Sequence, residues 1–265
     1  MDGKKLVFFD IDGTIFDFSH LVCESTKNAI HRLAEQGIYT ALCSGRSRAR
    51  IYDDHFLNFG VRGVVAGCGT YVEWDGDILL NYLIPSDLAE QSVYILREHR
   101  LVPTLAGDKY TYFDLDEYVE GIDSYRNIVI KMQGSRLKPI TGNEKHLRYN
   151  KISAKKIPGS DVEGVIQALS PWYSPINHRD ATIEFVPNGF SKATGMDILA
   201  QYLGISRENI YAFGDSRNDV EMLRYAGHSV MMGNGLPDLA KEVEYVTSSH
   251  YEGGIEEGLR YFHLL

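Results

Sequence analysis

Leu6-Val7-Phe8-Phe9-Asp10-Ile11-Asp12-Gly13-Thr14 is the stretch on which the reading of this chain turns. An apolar run rich in β-branched and aromatic residues reads as a strand buried on both faces. It ends in two carboxylates. Residues i and i+2 of an extended chain point the same way, so Asp10 and Asp12 are expected to share one small space. Like charges ~4 Å apart repel by about 4 kcal/mol at an effective dielectric near 20, and a divalent cation would turn that repulsion into attraction. Gly13 permits a sharp turn and Thr14 offers a hydroxyl. A simple strand-end Asx turn would use the same residue types, so the remainder of the chain has to decide between them.

Working outward, the same arrangement recurs. Ser25 to about Gln36 predicts a helix, with Ile30, Leu33 and Ala34 on one face and Gly37 after its end. Ile38–Cys43 predicts a second buried strand ending at Ser44-Gly45-Arg46. A helix near Ser47–Leu57 and a strand at Val61–Ala66 follow, then a hairpin turning at Asp75-Gly76. Strand and helix alternation of this kind implies βαβ units and a parallel sheet.

From about Ile84 the rhythm changes. Helices are expected at Asp87–His99 and Asp161–Leu169, with short strands at Leu101–Leu105, Tyr110–Phe113, Ile128–Lys131, Lys151–Lys156 and Thr182–Val186. After Pro187-Asn188-Gly189 the βαβ pattern resumes: a helix Lys192–Leu203, a strand Ile210–Phe213 ending at Gly214-Asp215, a helix carrying Val220 and Leu223, and a strand Ser229–Met232. The expected fold class is α/β, a Rossmann-like parallel-sheet core with an inserted α+β module. The core is expected over 1–83 and 187–265, and the insert over 84–186.

Three strand ends thus carry reactive polar groups beside glycine: Asp10-Ile11-Asp12-Gly13, Ser44-Gly45-Arg46, and Gly214-Asp215-Ser216-Arg217-Asn218-Asp219. Ligands of open parallel sheets sit beyond the carboxyl ends of the strands, so the three turns can face one crevice. Lys192, at a helix start where a cation opposes the macrodipole, adds positive charge. Carboxylates suited to Mg²⁺, a lysine and a hydroxyl match the needs of phosphoryl transfer. An Asp can be its nucleophile and a second carboxylate its acid and base.

At these residues the chain resembles a haloacid dehalogenase (HAD) superfamily phosphatase, specifically the Cof-type branch of sugar phosphatases. The motifs stand in the family's order: Asp10-Ile11-Asp12-Gly13-Thr14, Ser44-Gly45-Arg46, Ser191-Lys192, and Gly214-Asp215-Ser216-Arg217-Asn218-Asp219 with Met222-Leu223. The insert lies between the second and third motifs, as in relatives with a type 2 α/β cap. The resemblance implies roles. Asp10 attacks phosphorus and binds metal; Asp12 is acid and base and offers its main-chain carbonyl to Mg²⁺; Asp215 is the further metal ligand. Asp219 supports the metal shell or orients Lys192. Ser44, Gly45, Lys192 and Asn218 bind the phosphoryl group. Where many relatives carry Asn-Gly-Ala after the third strand, this chain reads Cys68-Gly69-Thr70, so their substrate preference does not carry over.

Composition bounds the remainder. Hydrophobic content of 44% and charged content of 24% suit a soluble globular protein, and the net charge of −9 argues against a nucleic-acid partner. No apolar segment has the ~20 residues that span a bilayer. The cysteines Cys23, Cys43 and Cys68 suit neither a disulfide framework nor a zinc site. A cytoplasmic protein acting on small phosphorylated metabolites is expected, with its oligomeric state open. Tyr110, Tyr112 and Phe113, and His178-Arg179-Asp180, are candidate substrate contacts that ordinary packing or a solvated turn would equally explain. The rival functions are a response-regulator-like phospho-acceptor, a phosphosugar-binding sensor with weak catalysis, and a phosphotransferase or mutase of the same superfamily.

Overall fold

The structure, a computed structural model, describes residues 3–16, 22–51, 58–116, 122–178 and 181–265. In chain order the opening elements are β1 (Leu6–Phe9), α1 (Glu24–Glu35), β2 (Tyr39–Cys43), β3 (Gly63–Ala66), β4 (Tyr71–Trp74) and β5 (Asp77–Asn81). The middle of the chain forms α2 (Ser86–Glu98), β6 (Leu101–Ala106), β7 (Thr111–Tyr112), α3 (Asp123–Gln133), β8 (Leu137–Lys138), β9 (Lys151–Lys156), α4 (Val162–Leu169), β10 (Tyr173–Asn177) and β11 (Thr182–Pro187). The last third forms α5 (Lys192–Leu203), β12 (Ile210–Gly214), α6 (Val220–Tyr225), β13 (His228–Met231), β14 (Tyr245–Val246) and α7 (Gly254–Tyr261).

The chain divides into two compact units. The first takes Met1–Gly45, Asp53–Leu80 and Ser191–Leu265; the second takes Arg46–Tyr52 and Asn81–Phe190. The short Arg46–Tyr52 piece of the second unit had no counterpart in the sequence reading.

In the first unit an eight-stranded sheet runs β14-β13-β12-β1-β2-β3-β4-β5. The pairs from β14 through β3 are parallel and β3–β4 is antiparallel. Every residue of β1 is fully buried, as an apolar run without alternation requires of a central parallel strand. Strand order leaves β1 in one direction toward β2 and β3, and in the other toward β12 and β13. The topological switch therefore lies between β1 and β12, where α/β sheets place ligands. A cluster including Phe8, Val65, Met196, Leu199 and Met222 fills one side of the sheet. The hairpin at Asp75-Gly76 has both residues at positive φ, the pattern of a two-residue type I′ loop.

In the second unit a six-stranded sheet runs β10-β11-β9-β6-β7-β8. Its apolar face, with Leu101, Leu105, Ile152, Ala154, Ile183 and Phe185, joins buried residues of α2 and α4 in one cluster. Asp114 ties the segment after β7 to the one after β8. Its Oδ1 accepts from the Ile140 and Thr141 amides at 2.8 and 3.0 Å, its Oδ2 from the Thr141 hydroxyl at 2.7 Å, and Arg97 pairs with it. Its pKa is lowered: burial opposes the charge, but these hydrogen bonds outweigh it.

Several expectations change. Ile128–Lys131 is the middle of helix α3 and not a strand; β-branched residues there read as strand, yet tertiary packing of Val129 with Val102 and Phe113 decides for helix. Helix α1 starts at Glu24, one residue before the expected Ser25, and its N-cap Cys23 makes no side-chain cap. The helix expected near Ser47–Leu57 is untested over 52–57, which lie outside the described residues; the part described carries a 3₁₀ turn at Arg48–Arg50. Strand β10 was not foreseen, because Pro175 sits within it; it is an edge strand, where proline is tolerated. All three cysteines are free. Among the described residues no helix is long and apolar enough to cross a membrane.

Asp114→Ala leaves two backbone N–H groups and a hydroxyl without their acceptor, so it is expected to destabilise the second unit by about 2–3 kcal/mol. Urea unfolding of the variant against the parent measures this, and an unchanged midpoint would contradict the assigned role.

Candidate active site

The site is built at the carboxyl ends of β1, β2 and β12. Asp10 follows β1, and its amide donates to the Phe213 carbonyl of β12 at 2.9 Å, which carries the strand pairing up to the switch point. Beyond it the chain curls: the Ile11 carbonyl accepts from Ile15 and Phe16 at 3.1 and 3.2 Å. The strand's alternation therefore stops at Asp10. Asp10 is buried, 3% exposed, whereas Asp12 is exposed, and the charge of Asp12 still acts on Asp10. Gly13 sits at φ +87, and a Cβ there would lie 2.4 Å from Asp215 Oδ2. Glycine is required twice over, by the left-handed backbone and by the approach of that carboxylate.

Lys192 is the first residue of α5. Ser191 caps the helix in a reciprocal capping box with Thr194. Lys192, Met196 and Leu199 are buried at helical spacing, so the face that packs on the sheet also carries the lysine inward. Its Nζ donates to Asp10 Oδ1 at 2.6 Å, to Asp219 Oδ1 at 2.5 Å and, weakly, to Asn218 Oδ1 at 3.5 Å. Asp219 is fully buried, and its Oδ2 accepts from the Asp215 and Ser216 amides at 3.0 and 2.9 Å. It thus holds the lysine with one oxygen and the turn after β12 with the other. Thr14 makes a long contact to Asp215 Oδ1 at 3.4 Å, and the Ser216 hydroxyl donates to Asn218 Oδ1 at 2.6 Å.

Ser44 is buried just past β2, its amide bonded to the Val65 carbonyl and its carbonyl to the Cys68 amide. Gly45 is half-buried beside it. Cys68 is buried and holds a left-handed turn at φ 55, so it is a packed turn residue.

The charge balance is unusual. Asp10, Asp215 and Asp219 each place a carboxylate oxygen within 4.8 Å of the others, and Lys192 is the cation paired with two of them among the described residues. Burial, opposed by Lys192 and reinforced by Asp219, Asp215 and Asp12, raises the Asp10 pKa well above the usual carboxylate range. Burial and Asp219 raise that of half-buried Asp215 to about 7. Burial works against the Lys192 charge, but Asp10 and Asp219 overcome it and hold its pKa well above the ordinary lysine value. Such a hard-oxygen cluster, short of positive charge, fits a divalent cation. The Asp12 carboxylate lies outside the cluster, and the resemblance gives only its main-chain carbonyl to the metal.

The other candidates belong to the second unit. Tyr112 and Phe113 are buried in separate apolar clusters of the second unit, and the Lys138 ammonium lies 3.4 Å from the Tyr110 ring centroid. His178 lies 3.5 Å from Glu184, whereas Arg179 and Asp180 are outside the described residues. Glu184 itself was missed. Burial disfavours its charge, yet Lys151 at 2.5 Å together with His178 brings its pKa to about 2. Asn234 and His250 were also missed; the Gly233-Asn234-Gly235 turn was a signal for the first, and nothing in the sequence marked the second.

A doubly directed parallel sheet with an acidic, lysine-centred switch point defines a hydrolase of the haloacid dehalogenase type. A profile of the haloacid dehalogenase-like hydrolases matches residues 7–259, and the chain belongs to that family. It stands among the family's Cof-type phosphatases. It is 28% identical over 265 residues to the putative phosphatase YkrA of Bacillus subtilis (strain 168), covering 99% of each chain. It is 27% identical over 271 residues to the 5-amino-6-(5-phospho-D-ribitylamino)uracil phosphatase YitU of the same organism, covering 98% of each. A hypothetical protein of Geobacillus kaustophilus HTA426 superposes with a TM-score of 0.86 at 25% identity, over 99% of this chain and 100% of that one.

The raised carboxyl groups set a pH dependence. Folded Asp215 keeps a proton up to about pH 7 that the unfolded chain releases near the ordinary aspartate value of 3.8. Metal-free stability should therefore fall as pH rises between those values and level off above, by an amount on the order of a few kcal/mol. Mg²⁺ favours the charged carboxylates, so its addition should raise the melting temperature more at pH 7.5 than at pH 5.5. Thermal unfolding at both pH values, with and without Mg²⁺, reads this directly.

Proposed function

We propose that this protein hydrolyses phosphate monoesters of small metabolites, sugar phosphates foremost, through a phospho-aspartate on Asp10. The observation that carries the reading is the Lys192 ammonium shared by buried Asp10 and Asp219 beside Asp215. A nucleophilic carboxylate, a fixed cation and an acidic cluster short of positive charge stand together at the switch point. Mg²⁺, held by Asp10, Asp215 and the Asp12 carbonyl, would supply the charge that lets a phosphate dianion approach these carboxylates.

The chain's own residues account for the remaining steps. The Asp10 carboxylate attacks phosphorus in line with the ester oxygen. Asp12, exposed at the mouth of the turn, gives its proton to that oxygen as the P–O bond breaks and the alcohol departs. The Asp12 carboxylate then takes a proton from a water that attacks phosphorus, releasing phosphate and restoring Asp10. Lys192, with the Ser44 hydroxyl, the Gly45 turn and Asn218, holds the phosphoryl oxygens. Asp219 keeps Lys192 in place rather than reacting.

Choice of leaving group falls to the second unit, the proposed cap. Its sheet sets Thr104, Ser153 and Glu184 in register across β6, β9 and β11, a polar row suited to a hydroxylated leaving group. Relatives carry different named activities, a 5-amino-6-(5-phospho-D-ribitylamino)uracil phosphatase and an HMP-PP phosphatase among them, as expected when specificity resides in this less constrained part of the chain.

Initial rates over a panel of phosphate esters test the reading. Phosphate release should be sustained and abolished by chelator, and Asp10→Asn should lower it by at least about a thousandfold. Retained activity in that variant would remove Asp10 as nucleophile. A phosphoryl group that accumulates on the protein without turnover would point to a signalling role, and transfer to a second hydroxyl would point to a mutase.

A further inference from the structure

Strand β13 ends at Met231, and the turn that follows is bound to both catalytic loops. The Asn234 Nδ2 donates to the Gly13 carbonyl at 2.7 Å, and the Leu236 amide donates to the Asp215 carbonyl at 3.0 Å. The Asn234 side-chain oxygen accepts twice from one residue, from the His250 amide at 3.1 Å and from His250 Nδ1 at 2.9 Å. These partners leave no freedom of assignment. The Gly13 carbonyl can only accept, so the nitrogen of the Asn234 amide must face it. The oxygen then faces His250, whose Nδ1 must carry the hydrogen. His250 is 5% exposed and opens a 3₁₀ turn closed by a Ser249–Glu252 capping box. The relay is therefore anchored in the body of the first unit.

We propose that Asn234 and His250 are a positioning pair for Asp12. Gly13 directly follows Asp12 and is pinned at both ends: its amide donates to the Phe16 carbonyl at 2.8 Å and its carbonyl receives Asn234. Asp12 is exposed, and the fixed Gly13 peptide beside it sets the backbone from which its side chain extends. Misplacement of a catalytic group by about 1 Å can cost up to a hundredfold in rate. Asn234 is itself exposed, so its loss bears on the orientation of Asp12 rather than on the core. The inference rests on the reading of Asp12 as acid and base given under Proposed function.

The test compares kcat/KM on an alkyl phosphate, whose leaving oxygen needs a proton, with that on p-nitrophenyl phosphate, whose leaving oxygen does not. Asn234→Ala and His250→Ala should each lose about tenfold on the alkyl ester and less than about twofold on the aryl ester. His250→Asn, which returns an N–H at the Nδ1 position, should recover most of the loss. Equal losses on both esters, or no loss on either, would overturn the proposal, since a general structural defect does not distinguish leaving groups. Asp12→Asn, run alongside, should show the same discrimination more strongly; if it does not, the reading of Asp12 fails and the positioning role with it. Independently of activity, ¹⁵N NMR of the His250 ring should show the Nδ1–H tautomer, and an Nε2–H tautomer would contradict the relay.

Discussion

One ammonium group organises this molecule. Lys192 is sealed from solvent at a helix start, where both burial and the macrodipole work against its charge. It is tolerable there because Asp10 and Asp219 each close a short, charge-assisted hydrogen bond on it. Removing one partner of such a buried set typically costs about 3–5 kcal/mol, since the remaining charges lose their compensation. The lysine links three segments far apart in the chain: the end of β1, the start of α5 and the turn after β12. The parallel sheet brings those ends together, and the lysine holds them there.

The same interaction leaves the centre deliberately unbalanced in charge. One cation serves a cluster of carboxylates, and Asp10 and Asp215 resist ionising as a result. Stability and function pull apart at this point, as they commonly do where perturbed carboxyl groups gather. Such a cluster of hard oxygen ligands is suited to a divalent cation. Asp219, by contrast, has both oxygens committed to hydrogen bonds. Its part is to keep the lysine and the β12 turn in place.

Legibility in the sequence follows the strength of local constraint. Buried parallel strands read clearly because an apolar run such as Leu6–Phe9 or Ile210–Phe213 has few other uses. Asp10, Asp215 and Lys192 were visible because polar residues at those ends require a reason. The insert read less well. Asp123–Gln133 carries the β-branched residues of a strand within a helix, and its identity depends on what Val129 packs against. The Lys151–Glu184 pair was invisible, because the two residues meet only through the register of β9 beside β11.

The sequence by itself determined the class of fold, the order of the motifs and the side chains able to handle a phosphoryl group. Those properties follow from local periodicity and from the chemistry of residues placed at strand ends. Tertiary structure decided where the acids stand. It buried Asp10 and exposed Asp12 by ending the strand's alternation one residue early, and it gave Asp219 to the lysine. It also brought Asn234 and His250 to Gly13, more than two hundred residues away along the chain. Such assignments depend on which atoms the packed backbone brings within hydrogen-bonding distance, and no spacing along the chain encodes that.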